Sequence, residues 1–153
     1  AEFRGDRQVV IQHADGYAAL QSFLPPPEQR GLVLLDPAYE FKGEFDRLVQ
    51  AIDLIQRRWA GAMIAVWYPI PDHALSTRFQ RVLSAIHLSG VLCAELRLSS
   101  DQGPSGLQGC GMIIINPPWR FDDVLRSLLP ELLRHLKTNE YGQTRLEWFA
   151  PAP

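Results

Sequence analysis

The sequence predicts an α/β domain built on a parallel or mostly parallel sheet with helices on both faces. Three observations carry this. Unbroken apolar runs at 32–35, 63–66 and 112–115 read as strands covered on both faces, which show no alternation. Apolar residues recur at helical spacing over 45–59 and again over 121–133. The two patterns alternate along the chain, which implies parallel strands joined by helical crossovers. At 153 residues the chain is one domain by length, with room for a core.

Taken in order, Val9-Val10-Ile11 is a short β-branched run that reads as a strand and ends at His13-Ala14-Asp15-Gly16. Asp15 is placed to cap a short helix through Tyr17 and Leu20, and its carboxylate equally suits a ligand in the crevice. Leu24 and the three prolines that follow stop that helix in a stiff connector. Leu32–Leu35 then delivers Asp36 to a strand's carboxyl end, where open α/β sheets hold their ligands. Asp36-Pro37 keeps the backbone extended, and Tyr39 follows as a flat, partly polar ring. Taken alone, D-P-x-Y reads more simply as an ordinary Asp-Pro turn.

A helix follows with Phe45, Leu48, Val49, Ile52, Ile55 and Trp59 on its apolar side and Arg47, Gln50, Asp53 and Arg57 opposite. Gly61 breaks the chain before a buried strand from Met63 to Ile70. Asp72 caps a further helix with Leu75, Phe79, Val82, Leu83 and Ile86 as its apolar face. Leu92–Leu98 alternates from Ala94 onward and reads as a strand nearer the sheet's edge. Ser99–Gly111 is a Gly/Ser/Gln loop, the most mobile stretch by composition. Met112–Ile115 is buried and ends in Asn116-Pro117-Pro118-Trp119; the helix beyond it carries Pro130, expected to kink or divide it. A last strand covers Thr144–Phe149. An antiparallel member among the late strands is left open.

With 46% hydrophobic and 21% charged residues, the composition is that of an ordinary globule, and no apolar run approaches a membrane span. The net charge of −2 argues against a surface that coats nucleic acid as a whole, but not against local basic patches such as Arg57-Arg58 or Arg78 with Arg81. Two cysteines, Cys93 and Cys110, are too few for a disulfide framework or a zinc site. Cys93 in its apolar run reads as a buried thiol, and both point to a reducing cytoplasm. The start at Ala1, with no initiator Met and no leader, reads as a cut end.

Asp36-Pro37-Ala38-Tyr39 resembles the D/N-P-P-Y motif of amino-group methyltransferases that use S-adenosylmethionine. Its surroundings narrow the resemblance. Ala14-Asp15-Gly16-Tyr17, Leu24-Pro25-Pro26, Arg30 through Glu40, Trp67-Tyr68-Pro69 and Gly111 through Trp119 are similar, in order and spacing, to the J-type 23S ribosomal RNA adenine-N6 methyltransferases of bacteria. The resemblance runs over nearly the whole chain. It implies a class I, Rossmann-like fold of three α/β/α layers, S-adenosylmethionine as methyl donor, 23S rRNA as partner, and a monomeric full-length enzyme in the cytoplasm. It implies Asp36 as the catalytic residue, the Pro37 carbonyl as a second acceptor, and Tyr39 as the ring that stacks on the target base. It also implies that Asp15 and Gly16 contact the adenine end of the donor.

Against that family, Ala38 replaces the second Pro, which softens the turn. The glycine-rich loop, the acidic end of the second strand and an amino-terminal segment bearing Tyr, His and Lys have no counterpart. Gly109-Cys110-Gly111 is the only G-x-G, and it precedes a strand rather than a helix. The resemblance therefore implies the carboxyl-terminal portion of one methyltransferase domain over residues 1–153, its first strands absent and the piece inactive alone. Asn116-Pro117-Pro118-Trp119 fits the generic motif better than Asp36 does and is its rival. Asp36 is preferred because its strand directly follows the Asp15-Gly16 unit; Asn116 and Trp119 are assigned to the pocket wall or the RNA approach. A DNA adenine methyltransferase would share Asp36 and Tyr39. A chain complete as given would favour a non-catalytic interaction module.

Overall fold

A computed structural model describes residues 3, 5–41, 43–70, 88–99, 107–137 and 140–150. Five strands, β1 (Leu32–Leu35), β2 (Met63–Ile70), β3 (Val91–Arg97), β4 (Gly109–Ile115) and β5 (Gln143–Ala150), form one sheet in the order β1-β2-β4-β3-β5. Three helices accompany them: α1 (Gly16–Phe23), α2 (Glu44–Arg58) and α3 (Phe121–Leu136). The helix predicted from Asp72, and with it Arg78 and Arg81, lies outside the described residues.

The sheet is mixed, not mostly parallel. Only β1 and β2 pair in parallel; β4 runs antiparallel to both β2 and β3, and β5 is antiparallel to β3. Strand and helix patterns alternate in the sequence, but β4 inserts between two strands that run the same way. Its apolar run is compatible with either direction. Gly109–Gly111, read as the end of a loop, begins this strand instead. A Cβ on Gly111 would lie 2.2 Å from the Tyr68 ring, so the missing side chain is the space the buried tyrosine fills.

Alternation along the central strands sorts the core into two clusters, one on each face of the sheet. Val66, Tyr68, Cys93, Ile113 and Ile115 meet Leu20 of α1 and Leu48, Ile52 and Ile55 of α2. Leu92, Ala94 and Ile114 meet Leu125 and Leu129 of α3. Each of Leu48, Ile52 and Ile55 is fully buried, worth about 1.5–3 kcal/mol apiece. Gly43, at φ +96°, starts α2 from a left-handed turn; Glu44 and Asp46 in the first turn and Arg57 and Arg58 in the last complement its dipole. The Arg58 Nε donates to the Leu24 carbonyl at 2.7 Å, tying the end of α2 to the end of α1. α3 runs unbroken through Pro130, so the proline does not divide it; Leu125 and Leu129, packed on the sheet, hold the helix together.

Two further expectations are corrected. β1 is not fully buried: it is an edge strand, with Leu32 at 56% and Leu34 at 59% exposure, because among the described residues one neighbour only, β2, stands beside it. Residues 9–11 join no ladder, and Val10 and Ile11 are exposed at 76% and 71%. A β-branched run becomes a strand only where an edge is available to it, and none reaches this one. β3 stands next to the edge strand β5, as expected of a strand nearer the sheet's edge, yet it is buried throughout. All seven of its residues are buried, including Glu95 and Arg97, whose polar character in the sequence mimicked a solvent face. Tyr68 donates to Glu95 at 2.7 Å and Arg145 lies 3.7 Å from it, which is how that carboxylate is accommodated. Burial pushes the Cys93 thiol up to about 12.

Candidate active site

The chain leaves β1 at Leu35 and enters α2 at Glu44, so the Asp36–Tyr39 turn is short and anchored at both ends. α1 begins beside it. Asp15 is the N-cap of α1, its Oδ1 accepting from the backbone N–H of Tyr17 at 2.9 Å and of Ala18 at 3.1 Å. Its Oδ2 lies 3.0 Å from an Arg47 guanidinium nitrogen. The Ala18 N–H first, and then Arg47, hold this carboxyl below its ordinary range. Both oxygens of Asp15 thus have partners within the protein.

A recess of about 330 Å3 opens between α1 and the free edge of β1. Gly16, Tyr17 and Leu20 form one wall, Val33 to Leu35 the other, and Asp36 and Pro37 close its end. Two sites that the sequence separates by twenty residues therefore share one concavity. Asp36 is exposed there, beside apolar walls.

Tyr39 sits at φ +59°, a backbone region uncommon for a bulky residue, and is half-buried. Its hydroxyl donates to the Trp67 carbonyl, and its ring packs 5.4 Å from Phe45 and 6.1 Å from Trp67. Burial pushes its phenol well above the ordinary value, with Tyr17, Asp36 and Glu44 close enough to add to the shift. The ring's orientation is consequently set by β2 and α2. With Ala38 in place of the second proline, these contacts supply the rigidity the turn lacks.

Three residues of the site escaped the sequence reading. Tyr17 lines the recess, and its hydroxyl donates to Glu44 at 2.5 Å. Glu44 is 4% exposed, a carboxylate buried in the first turn of α2. Arg47 lies 4.3 Å over the Tyr17 ring while pairing with Asp15. Arg47 lay on the polar side of a helical pattern, where a solvated arginine is the default, and nothing in the sequence links it to α1.

Asn116 and Trp119 are not brought to this recess. Because β4 runs against β2, Asn116 emerges at the row of Met63 and Leu32, the opposite end of β1 from Asp36. The four residues between them span roughly 13 Å. The Asn116 carboxamide donates to the carbonyls of Gly61 (3.2 Å) and Ala62 (3.4 Å), and its N–H donates to Gly90, so it joins two strand starts. Trp119 is 88% exposed at the rim of a second recess of about 450 Å3, with Arg30, Leu32 and Met63 among its lining, and Arg120 lies over its ring. No cluster of three metal-ligating side chains occurs among the described residues. No helix there is long and apolar enough to cross a membrane.

Comparison with known proteins decides the family. The family model described as "Ribosomal RNA large subunit methyltransferase D, RlmJ" matches residues 1–150. The chain belongs to this family. It is 34% identical over 149 residues to the Ribosomal RNA large subunit methyltransferase J of Haemophilus influenzae, covering 97% of this chain and 53% of that protein. To the protein of the same name in Escherichia coli K12 it is 33% identical over 151 residues, covering 99% and 54%. A crystal structure of a Legionella pneumophila protein superposes with a TM-score of 0.79 at 33% identity, over 88% of this chain and 49% of that one. The chain thus spans about half the length of the relatives it matches.

Proposed function

We propose that this chain is the carboxyl-terminal portion of a single methyltransferase domain that methylates N6 of an adenine in 23S rRNA. The recess shared by Gly16, Asp36 and Pro37 is the observation that carries the reading. In it an acceptor pair stands at a strand's carboxyl end, facing the start of α1. Adenine's exocyclic amine is a weak nucleophile because its lone pair is delocalised into the ring. The Asp36 carboxylate and the Pro37 carbonyl both accept from that NH2, drawing the nitrogen toward tetrahedral geometry; the proton leaves afterwards, to Asp36 or to water. Tyr39 lies outside the recess lining with its ring held against Phe45 and Trp67; on this reading its remaining face takes the base, and stacking on such a ring contributes about 1–3 kcal/mol. A base must leave its stack to enter, which suits an RNA loop.

S-adenosylmethionine, the methyl donor of such enzymes, supplies the electrophilic methyl group. The recess fits its adenine end in part, with the Gly16 backbone and the apolar walls at Tyr17 and Leu20 as contacts. Asp15, already bonded to Arg47 and to the α1 amides, holds the shape of that wall. The bare edge of β1 supports the domain reading: an apolar edge with no charge, proline or bulge is one that further strands cover, here completing a three-layer, Rossmann-like sheet. Asn116 acts as a strand linker on this reading, not in the base pocket.

In the full-length polypeptide, Asp36→Ala abolishes methylation of 23S rRNA while leaving RNA binding intact, and Asn116→Ala spares turnover in the fraction that folds. Full activity in Asp36→Ala refutes the assignment. Methylation of duplex DNA in place of rRNA would move the enzyme to the DNA class.

A further inference from the structure

A groove of about 410 Å3 between α1 and α2 adjoins the recess at Asp36, and Tyr17 lines both. Gln21 of α1 stands on one bank; Arg47, Gln50, Leu54 and Arg57 of α2 form the other. Spacings of three and four residues keep these four within about 80° of one another on the helix, over a length of about 15 Å. What reads in the sequence as the polar side of an amphipathic helix is thus one wall of a channel that begins at the candidate active site. Of the basic pair Arg57-Arg58, Arg57 lines the groove while Arg58 is turned to the Leu24 carbonyl.

Among the described residues, Arg47 pairs with Asp15 through one nitrogen at 3.0 Å and Arg57 with Asp53 through one at 2.6 Å; the two arginine side chains are 46% and 69% exposed. Exposed pairs of this kind hold weakly, and a guanidinium carries five N–H donors, so each can serve a second oxyanion without leaving its carboxylate. Because Asp15 and Asp53 balance the two charges, the groove suits a ligand that offers hydrogen bonds as well as anionic groups, and Gln21 and Gln50 add amides to the lining. A sugar-phosphate strand has that chemistry. A base drawn into the recess stays attached to its polynucleotide, which has to leave along a surface continuous with the recess. The recess at Trp119 lies at the other end of β1; the groove starts at Tyr17. We infer that the α1–α2 groove carries the RNA strand flanking the target adenine, with Arg47 and Arg57 on its phosphates and Gln21 and Gln50 on its sugars and base edges. The inference rests on the rRNA reading above and adds to it a track for the substrate.

Binding of a naked 23S rRNA transcript by the full-length polypeptide, followed over a range of salt, tests it. Arg57→Glu is expected to raise Kd at least about tenfold and to flatten the slope of log Kd against log salt by about 0.7, the value of one phosphate contact on a single strand. Arg57→Lys, which keeps the charge, stays within about threefold of the parent. Gln50→Glu, which sets a carboxylate on the same wall without removing an ion pair, also weakens binding. Arg134→Glu makes the same change of net charge on α3, across the sheet, and stays within about twofold. An unmoved salt slope in Arg57→Glu overturns the inference. So does an equal loss in Arg134→Glu, since net charge alone would then account for the effect. Binding, not methyl transfer, is the readout: full activity in Asp36→Ala would leave this result standing, and an unmoved Arg57→Glu would leave the Asp36 assignment standing.

Discussion

Tyr17→Phe removes one oxygen atom and tests how the two walls of the recess are held together. The Tyr17 hydroxyl donates at 2.5 Å to Glu44, a carboxylate only 4% exposed. Losing a hydrogen bond to a charged acceptor costs about 1.5–3 kcal/mol, because the buried carboxylate keeps its desolvation and loses its donor. For a protein of this size that lowers the melting temperature by roughly 3–12 °C. The ring and its stacking under Arg47 remain, so packing contributes little. A double-mutant cycle with Glu44→Gln isolates the pair: Gln still accepts from the phenol but carries no charge, so the Tyr17→Phe penalty falls by about half in that background. The assay is thermal unfolding of the four proteins. A Tyr17→Phe penalty below about 0.5 kcal/mol would show that water or another donor serves Glu44 and that the link between α1 and α2 is not made here.

Arg47→Ala raises the Asp15 pKa toward its ordinary value, since Arg47 is one cause of its depression. A depressed carboxyl contributes stability that is full above its unfolded pKa and lost as pH falls through the folded one. The acid unfolding of α1 therefore moves to higher pH in the variant, followed by the titration of the Tyr17 and Ala18 amide resonances; an unmoved midpoint refutes the Arg47 contribution. Gly111→Ala places a methyl 2.2 Å from the Tyr68 ring inside a closed core, and overpacking of this kind costs about 1–3 kcal/mol. A denaturant midpoint unchanged from the parent would mean the Tyr68 ring can move aside.

The sequence resolved what local pattern encodes. Apolar runs located β1, β2, and most of β4, and the 3.6-residue period located α2 and α3, because each pattern reports a face that must be buried. Asp15 was legible as a cap for the same reason: its partners are two and three residues away. Direction and neighbours were not legible. Met112–Ile115 reads identically for a parallel or an antiparallel strand, and that one unknown decides whether Asn116 stands beside Asp36 or at the other end of the sheet. Glu95 read as a solvent position because the partners that make its burial tolerable, Tyr68 and Arg145, lie 27 residues before it and 50 after it. Leu32–Leu35 read as enclosed because an unbroken apolar run carries no alternation to mark an open side, yet its burial pattern alternates beside β2 at the end of the described sheet.

The antiparallel β4 also fixes an order of events. β2 and β3 are both in the chain before residue 98, yet neither can pair with the other, since the strand between them is made of residues 109–115. A growing chain emerging at about 5–20 residues per second therefore carries β2 with one edge open beyond its pairing with β1, and β3 with no partner, leaving Leu92 and Cys93 uncovered for as long as it takes to synthesise the next segment. Sheet closure is a single late event in which one strand satisfies two edges. Chains that stop short of Ile115 would lack not a terminus but the middle of the sheet, and they are the species a chaperone or a protease should meet.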